Sequence, residues 1–191
     1  MTPKRFQRIG LVARFKPLHH GQAAMLEAVC QSAEHVLIGI GSCNRYNLRN
    51  PFTVYETQEM LYHFLEKRAT NYSILFVPDL DDGPRWKEQI AQLYGPLDAF
   101  ITANDYVKSL LEPDYTVIHP ATFVPKDKQT PLCATEVREE IARFGDWKAL
   151  VPAEVSEYLE KAGLIERFRA EFGLETLAAD LPKEHAFGGD L

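Results

Sequence analysis

Cysteine is scarce: three residues in 191, Cys30, Cys43 and Cys133, lie far apart and form no C-x-x-C pair. That spacing offers neither a disulfide framework nor a zinc knuckle and fits a reducing compartment. Long apolar runs are also missing, none approaching the roughly 18 residues that cross a bilayer. The polar start Met1-Thr2-Pro3-Lys4-Arg5 lacks the apolar segment of a secretion signal, so a cytoplasmic location is expected and no membrane partner. There is no surplus of basic charge. The net charge of −6 argues against a duplex nucleic-acid binder, whose affinity rests on a basic face, whereas a local basic cluster could still hold a small anion. No internal repeat or low-complexity tract is visible.

What is present is enough for one core, since 46% of residues are hydrophobic and 11% aromatic. Runs rich in β-branched and aromatic residues at Ile9–Arg14, Val36–Gly41, Ser73–Pro78, Ala99–Thr102 and Thr116–His119 predict five strands. Helical segments are expected between and after them, at Gln22–Ser32, Thr53–Lys67, Pro84–Tyr94, Tyr106–Leu111, Thr135–Phe144 and Ala153–Ala162. In the fifth, Val137, Ile141 and Phe144 suggest one buried stripe. The alternation predicts an α/β fold with a mainly parallel five-stranded sheet flanked by helices, whose ligands bind outside the carboxyl ends of the strands. A domain over residues 1–170 and a C-terminal extension over 171–191 are expected. The stretch from Ala178 to Leu191, with Pro182 and Gly188-Gly189, reads as a mobile tail.

Two segments carry chemistry. In Arg14-Phe15-Lys16-Pro17-Leu18-His19-His20-Gly21-Gln22, an apolar strand turns into a helix start, where unpaired backbone N–H groups and the positive dipole end suit a phosphate. His19 and Gln22, three residues apart, share a helix face that His20 does not. Arg14 can add a permanent charge. The second segment, Leu132-Cys133-Ala134-Thr135-Glu136-Val137-Arg138, opens a late helix with Thr135 as the expected N-cap and Arg138 in the first turn. Taken alone, the first reads equally well as an ordinary basic βα loop, and the second reads better as a capped surface helix with a solvated Arg.

Together they resemble a known family. Pro17-Leu18-His19-His20-Gly21-Gln22 is similar to the H-x-G-H signature of nucleotidyltransferases, and Cys133 to Arg138 to their late S-x-T-x-x-R signature. Within that superfamily the chain most resembles the archaeal-type nicotinamide-nucleotide adenylyltransferases. The supporting pieces are Ala13 to Pro17, Gly41-Ser42 with Asn50-Pro51-Phe52-Thr53, Val77-Pro78-Asp79 with Trp86, and Gly145-Asp146-Trp147 with Leu150-Val151-Pro152. Two positions depart from the pattern: Gln22 replaces the second histidine and Cys133 the serine. Gln22 can donate a hydrogen bond but never carries charge.

The resemblance implies a Rossmann-like nucleotidyltransferase fold and an enzyme that moves AMP from ATP to nicotinamide mononucleotide, giving NAD and pyrophosphate. It implies catalytic roles for His19, Gln22 and Arg138, an ATP site of Arg14, Phe15, His19, Gln22, Thr135 and Arg138, and an acceptor site of Gly41, Ser42, Phe52, Trp86 and Asn104. As residue types, a lone Trp such as Trp86 is more commonly a partly buried packing residue, and Asn104 is equally suited to a turn. No carboxylate pair sits beside the first motif, so Mg²⁺ is expected to arrive with ATP, without a protein metal site. Asp79, Asp81 and Asp82 read as a solvated loop. Another transfer, cytidylyl transfer or adenylylation of pantetheine phosphate, is the first alternative, and a nucleotide sensor that has lost turnover the second. An aminoacyl-tRNA synthetase fragment is set aside because the chain has no K-M-S-K-S-like loop. Oligomeric state is left open, a homo-oligomer included.

Overall fold

The computed structural model describes residues 4–179. Five parallel strands, β1 (Phe6–Ala13), β2 (Ala33–Gly41), β3 (Tyr72–Val77), β4 (Ala99–Ile101) and β5 (Val117–Ile118), form one sheet in the order β3-β2-β1-β4-β5. Seven α-helices accompany them among the described residues: α1 (His20–Ser32), α2 (Val54–Leu65), α3 (Gly83–Tyr94), α4 (Asp105–Leu111), α5 (Ala134–Ala142), α6 (Ala153–Lys161) and α7 (Leu164–Ala178). None is long and apolar enough to cross a membrane.

The period of two along each strand decides which helices cover which face. Ile9, Leu11, Val36, Ile38, Ile40, Ala99 and Ile101 enter the larger core with α1, α2, α5, α6 and α7. Leu37, Val77 and Phe100 enter a smaller core with Ile90 and Tyr94 of α3 and Leu111 of α4. Gly39 lies on that second face because Tyr94 crosses the sheet there, its hydroxyl donating to the Leu11 carbonyl at 2.7 Å. A Cβ at Gly39 would overlap the Tyr94 hydroxyl.

Two expectations about helices change. The fifth helix ends at Ala142, and the chain turns out through Phe144 at φ +59°, leaving its ring 74% exposed. Val137 and Ile141 are buried as expected, but Phe144 instead lies under the Arg169 guanidinium, 4.1 Å from the ring centroid. Second, α7 appears where no helix was read. It buries Leu164, Ile165 and Phe168 in its first half but Gly173 and Thr176 in its second, and runs unbroken past residue 170. The expected mobile tail, from residue 180 onward, lies outside the described residues.

Candidate active site

The switch in strand order falls between β1 and β4, whose chain segments leave in opposite directions across the sheet. Outside the carboxyl ends of the strands there, a cleft of about 1120 Å³ opens. Its floor is the β1–α1 turn. Phe15 sits at φ +53°, a left-handed conformation that costs a bulky residue about 1–3 kcal/mol. In this geometry the Phe15 ring is fully buried in the larger core, while Arg14 and Lys16 flank it at the cleft. β2 ends the same way, with Ser42 at φ +51°.

Both helix starts converge here. His19 is the N-cap of α1, in extended conformation, and Gln22 occupies the first turn and lines the cleft. The Gln22 Oε1 is buried without a hydrogen-bond partner among the described residues. The His19 ring is only 1% exposed and does not line the cleft; it lies beneath the floor, 3.3 Å from where a Cβ on Gly21 would stand. Gly21 therefore makes room for both the imidazole and the Thr130 carbonyl.

At the second helix start the expected N-cap moves by two residues. Cys133 carries the extended cap conformation and its N–H donates to Glu136 Oε2 at 2.8 Å, so Thr135 stands inside the first turn. The reason is the carboxylate at the third helical position, which reaches back to the residue three before it. Thr135 is then not the cap and lines the cleft with Arg138. Arg138, 5% exposed, donates to Thr135 Oγ1 at 3.0 Å and to the Lys16 carbonyl at 2.9 Å. That last bond joins the two motifs across 122 positions of sequence.

Sequence reasoning gave no role to Lys16, Arg49 or His119, all of which line the cleft. Lys16 is buried and its Nζ donates to the Ser42 carbonyl at 3.1 Å and Asn50 Oδ1 at 3.4 Å. Burial, helped by the nearby Arg14 charge and opposed by Cys43 and Asp79, brings its pKa down to about 8. A lysine following an apolar strand, with a polar loop to receive it, was the available signal. Arg49 and His119 come from loops whose approach only the topology reveals.

The acceptor-side residues divide. Gly41, Ser42, Trp86 and Asn104 line the cleft. Trp86 is half-buried in the first turn of α3, behind an N-cap in which Asp82 accepts from the Arg85 amide at 3.0 Å. Asn104 caps α4, its Oδ1 accepting from the Val107 amide at 3.0 Å, which leaves its amide donors for other work. Phe52 does not reach the cleft. It is fully buried, its ring stacked on Phe168 of α7 at 6.2 Å. The three aspartates have structural tasks: Asp81 pairs with Arg45, Asp82 caps α3, and the backbone of Asp79 exchanges two hydrogen bonds with the Asn44 side chain, at 2.8 and 2.9 Å.

Residues 11–140 match the cytidylyltransferase-like family. The chain is 33% identical over 177 residues to a nicotinamide-nucleotide adenylyltransferase of Thermococcus sibiricus, covering 90% of each. It is 29% identical to one of Methanococcus maripaludis, covering 85% of this chain and 94% of the relative. Among solved structures, a bifunctional NMN adenylyltransferase/ADP ribose pyrophosphatase from Francisella tularensis superposes with a TM-score of 0.64 at 17% identity. That match covers 94% of this chain and 58% of the larger protein, and it bears on the fold alone.

Proposed function

The chain belongs to the cytidylyltransferase-like family and, within it, to the nicotinamide-nucleotide adenylyltransferases, and from that premise we propose that it transfers AMP from ATP to nicotinamide mononucleotide. One observation carries the reading beyond family membership: the Arg138 bond to the Lys16 carbonyl, which locks two anion-ready helix starts onto one cleft. Drug-sized pockets span roughly 300–1,000 Å³, so a cleft of about 1120 Å³ is roomy enough for two nucleotides side by side.

In this reading the triphosphate lies over the starts of α1 and α5, against Arg14, Gln22, Thr135 and Arg138. His19 belongs to the same subsite as the N-cap whose helix directs its first amides at the phosphates. The acceptor occupies the side formed by Gly41, Ser42, Trp86 and Asn104, with the nicotinamide ring against the indole. A phosphate oxygen of the mononucleotide attacks the α-phosphorus of ATP, the bond to the β-phosphate oxygen breaks, and pyrophosphate leaves with that electron pair. No covalent intermediate on the protein is needed. The chain's work is alignment and neutralisation of charge that grows on the leaving group.

The substrate is MgATP. Of the aspartates that line the cleft, Asp79 and Asp81 face Arg45 and Asp82 caps α3, which favours an ion that rides in on the triphosphate and keeps its waters. Free thiols at all three cysteines favour a cytoplasmic setting. Pyrophosphate release from ATP and Mg²⁺, measured across a panel of acceptors, tests the proposal. Nicotinamide mononucleotide should be preferred over its acid analogue and over pantetheine phosphate, and ATP over CTP. A preference for CTP, or for pantetheine phosphate, would reassign the transfer.

A further inference from the structure

The acceptor side of the cleft rests on a loop, residues 42–53, that contributes Ser42 and Arg49. Such a loop needs fixing from behind if its groups are to meet a ligand repeatedly in one geometry. On the cleft side Lys16 holds it, through the Ser42 carbonyl and Asn50. From behind it is gripped by α7, none of whose residues lines the cleft.

The grip has three points. Tyr46 lies edge-on to Phe172 at 5.4 Å, and its hydroxyl donates to Glu171. Phe52 stacks on Phe168. Between them Arg167 donates to the Pro51 carbonyl at 3.1 Å and to both oxygens of Glu56, at 2.5 and 2.8 Å, while its guanidinium stands 5.7 Å from the Tyr46 ring centroid. Glu56 is itself committed to the loop's end, accepting from the Thr53 amide at 2.8 Å in a capping box. Against the upward push of burial, Arg167 and that amide hold its carboxyl below the usual range. One planar fork thus ties the Pro51 carbonyl, the start of α2 and helix α7 together, which a point charge cannot do.

We infer that Arg167 is a positioning residue for the acceptor, acting through the loop at residues 42–53. The inference rests on the acceptor assignment made above. It gives Phe52, which does not face the cleft, a place in the same brace through its stack on Phe168.

The test uses the full chain with Arg167→Ala and Arg167→Lys, read by hydrogen exchange, steady-state kinetics and thermal melting. In Arg167→Ala, amides in 44–53 should exchange ~10-fold faster while those at the starts of α1 and α5 stay unchanged, as a local opening requires. The KM for nicotinamide mononucleotide should rise about 5–10-fold, with the KM for ATP and kcat within about twofold. Arg167→Lys, which keeps the charge and the fold but loses the fork, should fall between parent and alanine variant. Unchanged exchange at 44–53 in both variants would overturn the inference. So would faster exchange throughout the chain with both KM values rising together, which is general loss of structure. A parent that turns over no nicotinamide mononucleotide would sink the acceptor assignment instead, and exchange at 44–53 would still decide whether Arg167 positions the loop.

Discussion

Gln22→His changes a neutral side chain in the first turn of α1 into one able to carry charge beside the proposed triphosphate. Gln22 lines the cleft, and its Oε1 has no hydrogen-bond partner among the described residues. A neutral hydrogen bond nets about 0.5–1.5 kcal/mol and one to a charged group about 1.5–3, so exchanging one for the other is worth roughly 1–1.5 kcal/mol, or close to tenfold in rate. The surroundings oppose part of this gain when no ligand is bound. The α1 dipole disfavours a cation at its first turn by about 0.3–1 kcal/mol, and Arg14, Lys16 and Arg138 line the same cleft. The introduced imidazole should therefore be neutral in the free protein and take up a proton when the triphosphate arrives. Initial rates of parent and variant at saturating MgATP, between about pH 6 and 8, expose this. The variant should be faster, and its advantage should grow as pH falls. A variant no faster anywhere in that range, or faster by a constant factor at every pH, would refute a charge effect at this position.

Trp86→Ala should weaken nicotinamide mononucleotide by ~1 kcal/mol or more and leave ATP nearly unchanged, since the lost aromatic contact lies on one side of the cleft; calorimetric titration with each ligand decides it, and equal losses would make the indole a packing residue. Lys16 predicts a pH dependence of known sign. Its pKa falls from 10.5 to about 8 in the folded chain, so the unfolded chain holds more protons between those values and stability rises with pH through that window, the burial cost being fully present below about 8. Substrate binding runs the other way, because the cleft loses a positive charge above about pH 8 and the KM for the anionic substrates should climb there. In Lys16→Met both pH dependences should flatten, as measured by chemical denaturation and by kinetics.

The strands were legible because buried parallel strands are apolar runs, and Ile9 to Val12 or Val36 to Ile40 admit no other reading at their length. Both helices were legible but their exact starts were not: α1 begins at His20 rather than Gln22, and α5 is capped at Cys133 rather than Thr135 because Glu136 reaches back to the Cys133 amide. The beginning of β2 was missed at Ala33 because Glu34 and His35 interrupt the apolar run. Helix α7 was hidden for a different reason. Leu174 and Leu177 face outward while Gly173 and Thr176 are buried, so its pattern makes sense only once α5 and α6 are in place to receive it. The same holds at the site. Phe52 was read as a ligand contact when its partner, Phe168, lay in an unrecognised helix. Arg138 lines the cleft from α5, but that its guanidinium bonds the Lys16 carbonyl is a long-range fact that no spacing reveals.

Transfer of label from ATP tests the central claim most directly. With nicotinamide mononucleotide and Mg²⁺, label at the α-phosphorus should appear in NAD and label at the γ-phosphorus in pyrophosphate, in equal molar amounts. Label from the γ-position in the dinucleotide fraction, or α-label released only as AMP, would contradict adenylyl transfer at this cleft.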